Sequence, residues 1–188
     1  MVRWEPDSRG RLAQAAMALY GERGFDQTTV ADIAERAGLT ERTFFRHFSD
    51  KREVLFSGAQ ALQELLVNTV LESPVSATPM EAVALSLEAA GNLFNPRREF
   101  SVQRQHIIEG SAELQERELI KLSSLAAALA SALRQRGVAD PAAAITGEVA
   151  IALFKVSFER WVSSSDSPDL ALVLRDSLEQ LRAVTARA

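Results

Sequence analysis

The chain has 188 residues, 47% of them hydrophobic, with 6 Pro and 9 Gly, enough to bury a sizeable core in one domain or two small ones. It contains no Cys, which excludes a disulfide framework, a thiolate zinc site and a Cys nucleophile, and suits a reducing compartment. The net charge of -4 speaks against a uniformly basic nucleic-acid binder, but the acidity is local: residues 1–56 carry 9 Lys/Arg against 9 Asp/Glu, and residues 57–188 carry 12 against 16. Any hold on DNA then depends on where a few cations point, since phosphate attraction is screened within about 10 Å at moderate salt. The opening MVRWEPDSRGR sets charges where a signal peptide needs an apolar stretch. No run approaches the ~18 apolar residues of a membrane span, so a cytoplasmic setting without membrane contact is expected.

Apolar residues recur at spacings of three and four along almost the whole chain, which predicts an all-α protein of about nine helices. The first covers about Arg9–Arg23, with Ser8 as its cap, Leu12, Ala16, Leu19 and Tyr20 inward, and Gly24 as a left-handed stop. The second starts at Thr29, with Asp32 completing a capping box, and ends at Gly38. Thr40 caps the third. The fourth starts beyond Ser49 and Asp50, where Asp50 and Glu53 suit another box, and runs to about Leu71. Ser73–Pro79 has linker composition. A fifth helix spans about Met80–Asn95, Asn95-Pro96 opens a sixth to about Glu109, and a seventh runs from Glu113 to Arg136 before Gly137. Asp140-Pro141 and Ser167-Pro168 pair a capping side chain with proline at the first helical position, which places the starts of the eighth and ninth helices.

Residues 30–49, VADIAERAGLTERTFFRHFS, read as two short helices crossing at a tight turn. Ala34 is small where they approach, Gly38 supplies positive φ, and Ile33, Ala37, Leu39 and Phe44 fill the wedge. These offsets are those of a helix-turn-helix, and the turn leaves the first turns of the second helix projecting toward a major groove. Glu41, Arg42, Thr43, Phe45, Arg46 and His47 cannot all be core. Arg pairs with guanine, Thr and Phe touch a thymine methyl, and Glu accepts from cytosine. Thr29, Thr40 and Lys51 sit at helix N-termini, where free N–H groups attract phosphate. Bland readings stand beside this: the motif is only a packing unit, Thr29, Thr40 and Asp50 cap helices with or without DNA, Glu41 complements the helix dipole, Arg42 and Arg46 form a solvated face, and His47 is a packed ring. Arg3, Arg9 and Arg11 leave two readings open, an N-terminal arm that reaches a groove or backbone and, as is more usual of arms, one that is simply mobile.

The segment TTVADIAERAGLTERTFFRHFSDKREVL, with the preceding ALYGERGF, resembles the DNA-binding domain of the TetR family of regulators over Arg9 to about Phe56. The resemblance implies base contacts from Glu41, Arg42, Thr43 and Phe45, with Val30 contributing, and phosphate contacts from Thr29, Thr40, His47 and Lys51. Family members often carry Tyr where this chain has Phe45, which removes a hydroxyl contact to phosphate. In the remainder, RREF, QRQHIIEG, RGV and FERW are similar to an actinobacterial subset of the family.

The resemblance implies a helix-turn-helix domain over residues 1–56, a fourth helix continuing to about residue 72 as connector, and a ligand-binding and dimerising domain over 73–188. The broad apolar faces of the last two helices, including Val149, Leu153, Val156, Trp161, Leu170, Leu174, Leu178 and Leu181, suit a two-fold four-helix interface. The alternative is that they serve one protomer's core. Phe94, Phe100, Gln103, His106, Ile107, Phe154 and Phe158 are candidates to border a pocket for an apolar or amphipathic molecule. The expected protein is a homodimeric repressor on a palindromic double-stranded DNA operator, released by a small-molecule effector acting through the fourth helix, with no cofactor or metal. An activator or architectural DNA-binding protein without effector stays open. With 2 His, no phosphate-binding Gly loop and no acid pair at ligand spacing, an enzyme has little support.

Overall fold

In the computed structural model, which describes residues 7–186, the described residues form helices and connecting turns without strands. The helices are α1 (Ser8–Arg23), α2 (Val30–Arg36), α3 (Glu41–His47), α4 (Ala59–Glu72), α5 (Pro79–Phe94), α6 (Arg98–Glu109), α7 (Ala112–Gln135), α8 (Ala142–Ser163) and α9 (Leu170–Thr185), with single 3₁₀ turns at Arg52–Val54 and Asn95–Arg97. Two compact units result. Of the described residues, one unit comprises 7–58 together with Gln103–Glu116; the other comprises Ala59–Val102 and 117–186. The division therefore falls inside α6 and α7, which a purely sequential partition into 1–56 and 73–188 does not anticipate.

The first unit has its own core of Leu12, Ala16, Leu19, Ile33, Phe44 and Val54, completed by Ile107, Ile108 and Leu114 from the later segment. Two side chains fasten that segment: Gln103 donates to the Met17 carbonyl at 3.1 Å, and Arg104 Nε to the Leu55 carbonyl at 2.7 Å. The second unit's core gathers Leu66 and Val70 of α4, Val83 of α5, Leu129 and Leu133 of α7, Trp161 of α8 and Leu170 of α9. Its helices cross closely at small residues. A Cβ on Gly147 would meet the Ala126 carbonyl oxygen at 2.6 Å, and one on Gly91 would meet Ala171 backbone at 2.7 Å.

Several helix boundaries differ from the sequence reading. Asp7, in the left-handed region, accepts the Gly10 N–H at 2.8 Å, so Ser8 is the first helical residue of α1 and not its cap. The predicted fourth helix is interrupted between residues 55 and 58. Arg104 takes the Leu55 carbonyl and Arg9 takes that of Ser57, two acceptors a continuous helix would offer to the next turn. Asn95 does not open α6; its amide donates to Asp169 and its Oδ1 accepts the Leu170 N–H at 2.8 Å, so it serves the start of α9. Asp140 pairs with Arg134 at 2.8 Å, and Pro141, not Asp140, stands at the N-cap position of α8, where it brings no side-chain bond. Asp169, and not Ser167, caps α9. Thr78 and Glu81 form a full capping box at α5, and Arg136 pins the preceding loop through the carbonyls of Ser73 and Pro74, each at 2.7 Å.

Residues 52–72 are long and apolar enough to cross a membrane by length and composition, against the expectation that no run comes near. They do not form one uniform helix. In α4 the apolar residues Leu62, Leu66 and Val70 are buried, while Gln60, Gln63, Glu64 and Asn68 are exposed, the pattern of an amphipathic helix packed on a core.

Of the residues expected at a two-fold interface, Trp161 is 0% exposed, and Leu153, Leu170, Leu174 and Leu178 are likewise buried inside this one chain. They belong to its own core, the reading weighed as the alternative. Val149 and Leu181 are half-buried and Val156 is 61% exposed. Together with Ile145 and Ala152, both exposed, Val149 and Val156 line an outward α8 stripe at spacings of four, three and four.

Candidate nucleic-acid interface

The α2–α3 corner is built by local chemistry. Thr29 accepts from the Asp32 N–H at 3.1 Å while Asp32 accepts from both the N–H and the hydroxyl of Thr29, at 2.8 and 2.6 Å. These donors, with Arg23 3.0 Å away, hold the Asp32 carboxyl below the usual carboxylate range. At the other end of α2, the Leu39 N–H reaches back to the Ala34 carbonyl at 2.8 Å and the Gly38 N–H to that of Glu35 at 2.9 Å. This six-to-one and five-to-two pairing requires a left-handed residue, and Gly38 has φ 65°. Arg11 Nη2 caps the corner through the Ala37 carbonyl. Thr40 then accepts the Thr43 N–H at 3.2 Å and starts α3. Ile33, Ala34, Ala37 and Phe44 are buried in the wedge.

The opposite edge of α3 is bare. Glu41, Arg42, Phe45 and Arg46 are exposed, Phe45 by 56%, whereas Phe44 is 0% exposed. Residues 42, 45 and 46 share one face at helical spacing. Phe45 touches the core through the edge of the Phe44 ring, 5.5 Å between centroids. Thr43 and His47 are half-buried, and the His47 Nε2 is covered without a hydrogen-bond partner. Val30 is half-buried against the unit's core.

The other described cations of this unit are engaged with the protein itself. Arg9 and Arg104 bind backbone carbonyls, Arg11 that of Ala37, Arg23 binds Asp32, and Arg36 holds Glu22 through two bonds of 2.9 and 2.7 Å. Arg52 bridges Asp50 at 2.7 Å and Glu113. Arg42 and Arg46 alone among the described arginines of the unit have no ion pair or hydrogen bond. Arg9 and Arg11 thus belong to α1 and to its tertiary contacts; Arg3 lies outside the described residues.

Lys51, expected as a phosphate ligand, is occupied within the fold. Its ammonium donates to the carbonyls of Phe25 and Thr28, both at 2.9 Å, and sits 4.3 Å from the Phe25 ring centroid. Tyr20 donates to the Lys51 carbonyl at 2.6 Å, and burial pushes the Tyr20 hydroxyl well above its ordinary pKa. Lys51 is therefore tied into the α1–α2 loop. Nothing in its own sequence neighbourhood signals this, because its partners lie 23 to 26 residues earlier.

The candidate pocket residues do not gather in one place. Phe94, Phe154 and Phe158 pack ring on ring in the second unit, 5.5 to 5.8 Å apart. Phe100 lies on an open cleft of the same unit. Gln103, His106 and Ile107 belong to the first unit, where they line a cavity of about 430 Å³ with Tyr20 and Phe25.

Comparison with known proteins now decides the family. Residues 12–57 match the profile of bacterial regulatory proteins of the tetR family, and residues 77–186, more than half of the chain, match a TetR-type C-terminal domain described as the MftR C-terminal domain. The chain belongs to the TetR family. This TetR-family chain is 33% identical over 82 residues to the HTH-type transcriptional regulator TcmR of Streptomyces glaucescens, covering 44% of this chain and 36% of that protein. It is 43% identical over 47 residues to the HTH-type transcriptional repressor KstR2 of Mycobacterium tuberculosis, covering 25% and 24%. The matched stretch is thus about a third of the first relative's length and a quarter of the second's. Among solved structures, FadR of Bacillus subtilis in complex with stearoyl-CoA superposes with a TM-score of 0.63 at 20% identity, over 92% of this chain and 96% of that one. FadR of Thermus thermophilus with lauroyl-CoA gives 0.59 at 24%, over 92% of each chain. At such identities the structures establish the fold. Family membership places the chain among bacterial regulatory proteins.

Proposed function

We propose that this TetR-family regulator is a homodimeric repressor that reads a palindromic operator with α3 and is released by an apolar or amphipathic small molecule. The observation that carries the reading is the bare edge of α3: a structure that ties down its other described head cations leaves Arg42 and Arg46 unpaired on the one face a groove would meet. Side chains that the fold does not use can engage DNA without breaking an internal contact. Two guanidiniums, the Phe45 ring and Glu41 offer base contacts, while the α2 and α3 N-termini at Thr29 and Thr40 offer phosphate contacts. Lys51 acts in this reading by bracing the loop ahead of α2.

Dimerisation is supported by the outward α8 stripe of Ile145, Val149, Ala152 and Val156, an apolar strip at helical spacing that stands largely open to solvent. A single short reading helix makes too few contacts for a specific operator, so two are set on successive major grooves, roughly 34–36 Å apart. The class of effector follows the neighbours of like fold that hold acyl-CoA molecules. An effector weakens DNA binding only by as much as it prefers the unsuitable conformation.

The test is binding to the DNA upstream of the protein's own gene, followed by fluorescence anisotropy and footprinting. Wild type is expected to protect a two-fold symmetric site. Arg42→Ala with Arg46→Ala is expected to lose that site, roughly 1–3 kcal/mol for each base-contacting arginine, with an unchanged melting temperature. A double variant that protects the same site with wild-type affinity overturns the assignment.

A further inference from the structure

We infer that the cleft of the second unit formed by the α5–α6 corner and the α8–α9 loop binds the anionic head of an amphipathic ligand, with Arg98 as its counter-charge. This rests on the reading of the chain as ligand-responsive and names the polar end of the ligand. The cleft encloses about 880 Å³ and is bordered by Pro96, Arg97, Arg98, Phe100, Trp161 and Pro168.

Arg98 is the unusual group. It is half-buried, its guanidinium carbon lies 5.8 Å from the Trp161 ring centroid, and its Nη2 donates to the carbonyls of Trp161, at 3.1 Å, and Ser164. Its Nε is covered and meets no acceptor. Among the described residues no carboxylate pairs with it. Arg136, also half-buried in this unit, is satisfied by carbonyls on both terminal nitrogens, and the exposed Arg134, Arg160 and Arg175 each hold an acid. A half-buried cation with an orphaned donor and no counter-ion is costly, and the surrounding geometry lowers that cost only through carbonyl dipoles and an aromatic face. A carboxylate or phosphate in the cleft supplies the missing charge.

The rim acids do not do so. Asp169 receives the Asn95 amide and the Ala171 N–H, which hold its carboxyl below the usual range and direct it to the start of α9. Glu99 is exposed. Arg97, also exposed, adds a second positive charge at the opening. The same cleft is lined by the Phe100 ring, 42% exposed, and by Pro96 and Pro168. A cation without a counter-ion and apolar rings lining one cleft suit an amphipathic anion.

The test is a titration of the full-length protein in a Trp4→Phe background, which leaves Trp161 as the sole indole of the chain's 2. The probes share a ten-carbon tail: decanoate, decyl phosphate, decanol and decyltrimethylammonium. Saturable quenching or shift of Trp161 emission is expected with both anions, the tighter of them identifying the head group, at an affinity roughly tenfold or more above those of decanol and the ammonium. Arg98→Gln is expected to erase that preference. Because that variant also loses bonds to the end of α8, Phe100→Glu serves as a second: it alters an exposed side chain, should leave the melting temperature unchanged, and should weaken anion binding by roughly tenfold. Equal binding of anion and ammonium, no binding of any probe, or wild-type anion affinity in both variants overturns the cleft assignment. Operator anisotropy on the same samples separates the two readings. Anion binding without operator release keeps the cleft and removes the effector role; operator binding with no probe in the cleft keeps the DNA-binding reading and removes the cleft.

Discussion

Replacing Lys51 with Met keeps the aliphatic stem and removes the ammonium, and so separates a structural role from a DNA role. The variant loses two short charged hydrogen bonds, to the Phe25 and Thr28 carbonyls at 2.9 Å, and the approach to the Phe25 ring at 4.3 Å. A hydrogen bond to a charged group is worth about 1.5–3 kcal/mol and an exposed cation–π contact about 0.5–1 kcal/mol. Water recovers part of this, because Lys51 is half-buried and the loop around Asp26 is exposed, so a net loss of about 3 kcal/mol is expected in the first unit. For a chain of this size about 1 kcal/mol shifts the melting temperature by about 2–4 °C, which makes the expected drop roughly 6–12 °C if the unit melts with the whole, followed by calorimetry. In operator titrations at a temperature where the variant is folded, the slope of log affinity against log salt should stay at the wild-type value, as the proposed bracing role of Lys51 requires. The opposite pattern, an unmoved melting temperature with a salt slope shallower by about 0.9, is the signature of one phosphate ligand removed and overturns the structural role of Lys51.

Four further outcomes are expected. Gly38→Ala puts a Cβ at φ 65°, 3.1 Å from the Arg11 Nη2 that holds the Ala37 carbonyl, and should cost about 1–2 kcal/mol in chemical denaturation together with most operator affinity. Gly147→Ala drives a Cβ to 2.6 Å from the Ala126 carbonyl, so the α7–α8 crossing must open, and the helix-propensity gain of about 1 kcal/mol should be outweighed in the same assay. Val156→Glu, at an exposed position of the α8 stripe, should shift sedimentation from dimer to monomer while Trp161→Ala, in the core, should instead lower stability by about 3–5 kcal/mol. For pH, the depressed Asp32 carboxyl contributes stability that is full above its unfolded pKa of about 3.9 and is lost as pH falls through its lower folded value; urea midpoints measured down this range should decline less steeply in Asp32→Asn.

What the sequence made legible were features whose chemistry closes within four or five residues. The Thr29–Asp32 box, the Thr40 cap and the Gly38 corner are each determined by neighbours, and so is the division of α3 into a buried Phe44 and an exposed Arg42–Arg46 edge. What stayed hidden depends on distant partners. Asn95-Pro96 has the local form of a helix start, yet Asn95 is drawn to Leu170, 75 residues away. Residues 55 to 58 have the composition of a helix, yet arginines 48 and 49 residues distant occupy two of the carbonyls. Leu170, Leu174 and Trp161 lie on strongly apolar faces, and a one-chain pattern cannot tell a face that meets its own core from one that meets a copy. The same limit scattered the candidate pocket, since Phe94 and Gln103 are close in sequence and belong to different units.

The interleaved course of the first unit means that its α2–α3 corner is not a detachable cassette. A fragment that stops at Gly58 lacks Ile107, Ile108 and Leu114, three members of its own interior, and forfeits Glu113, to which Arg52 is anchored. Grafting the leading residues onto another protein's body would therefore transplant an unfinished core, and a chimera with an intact head has to carry Gln103–Glu116 along with it.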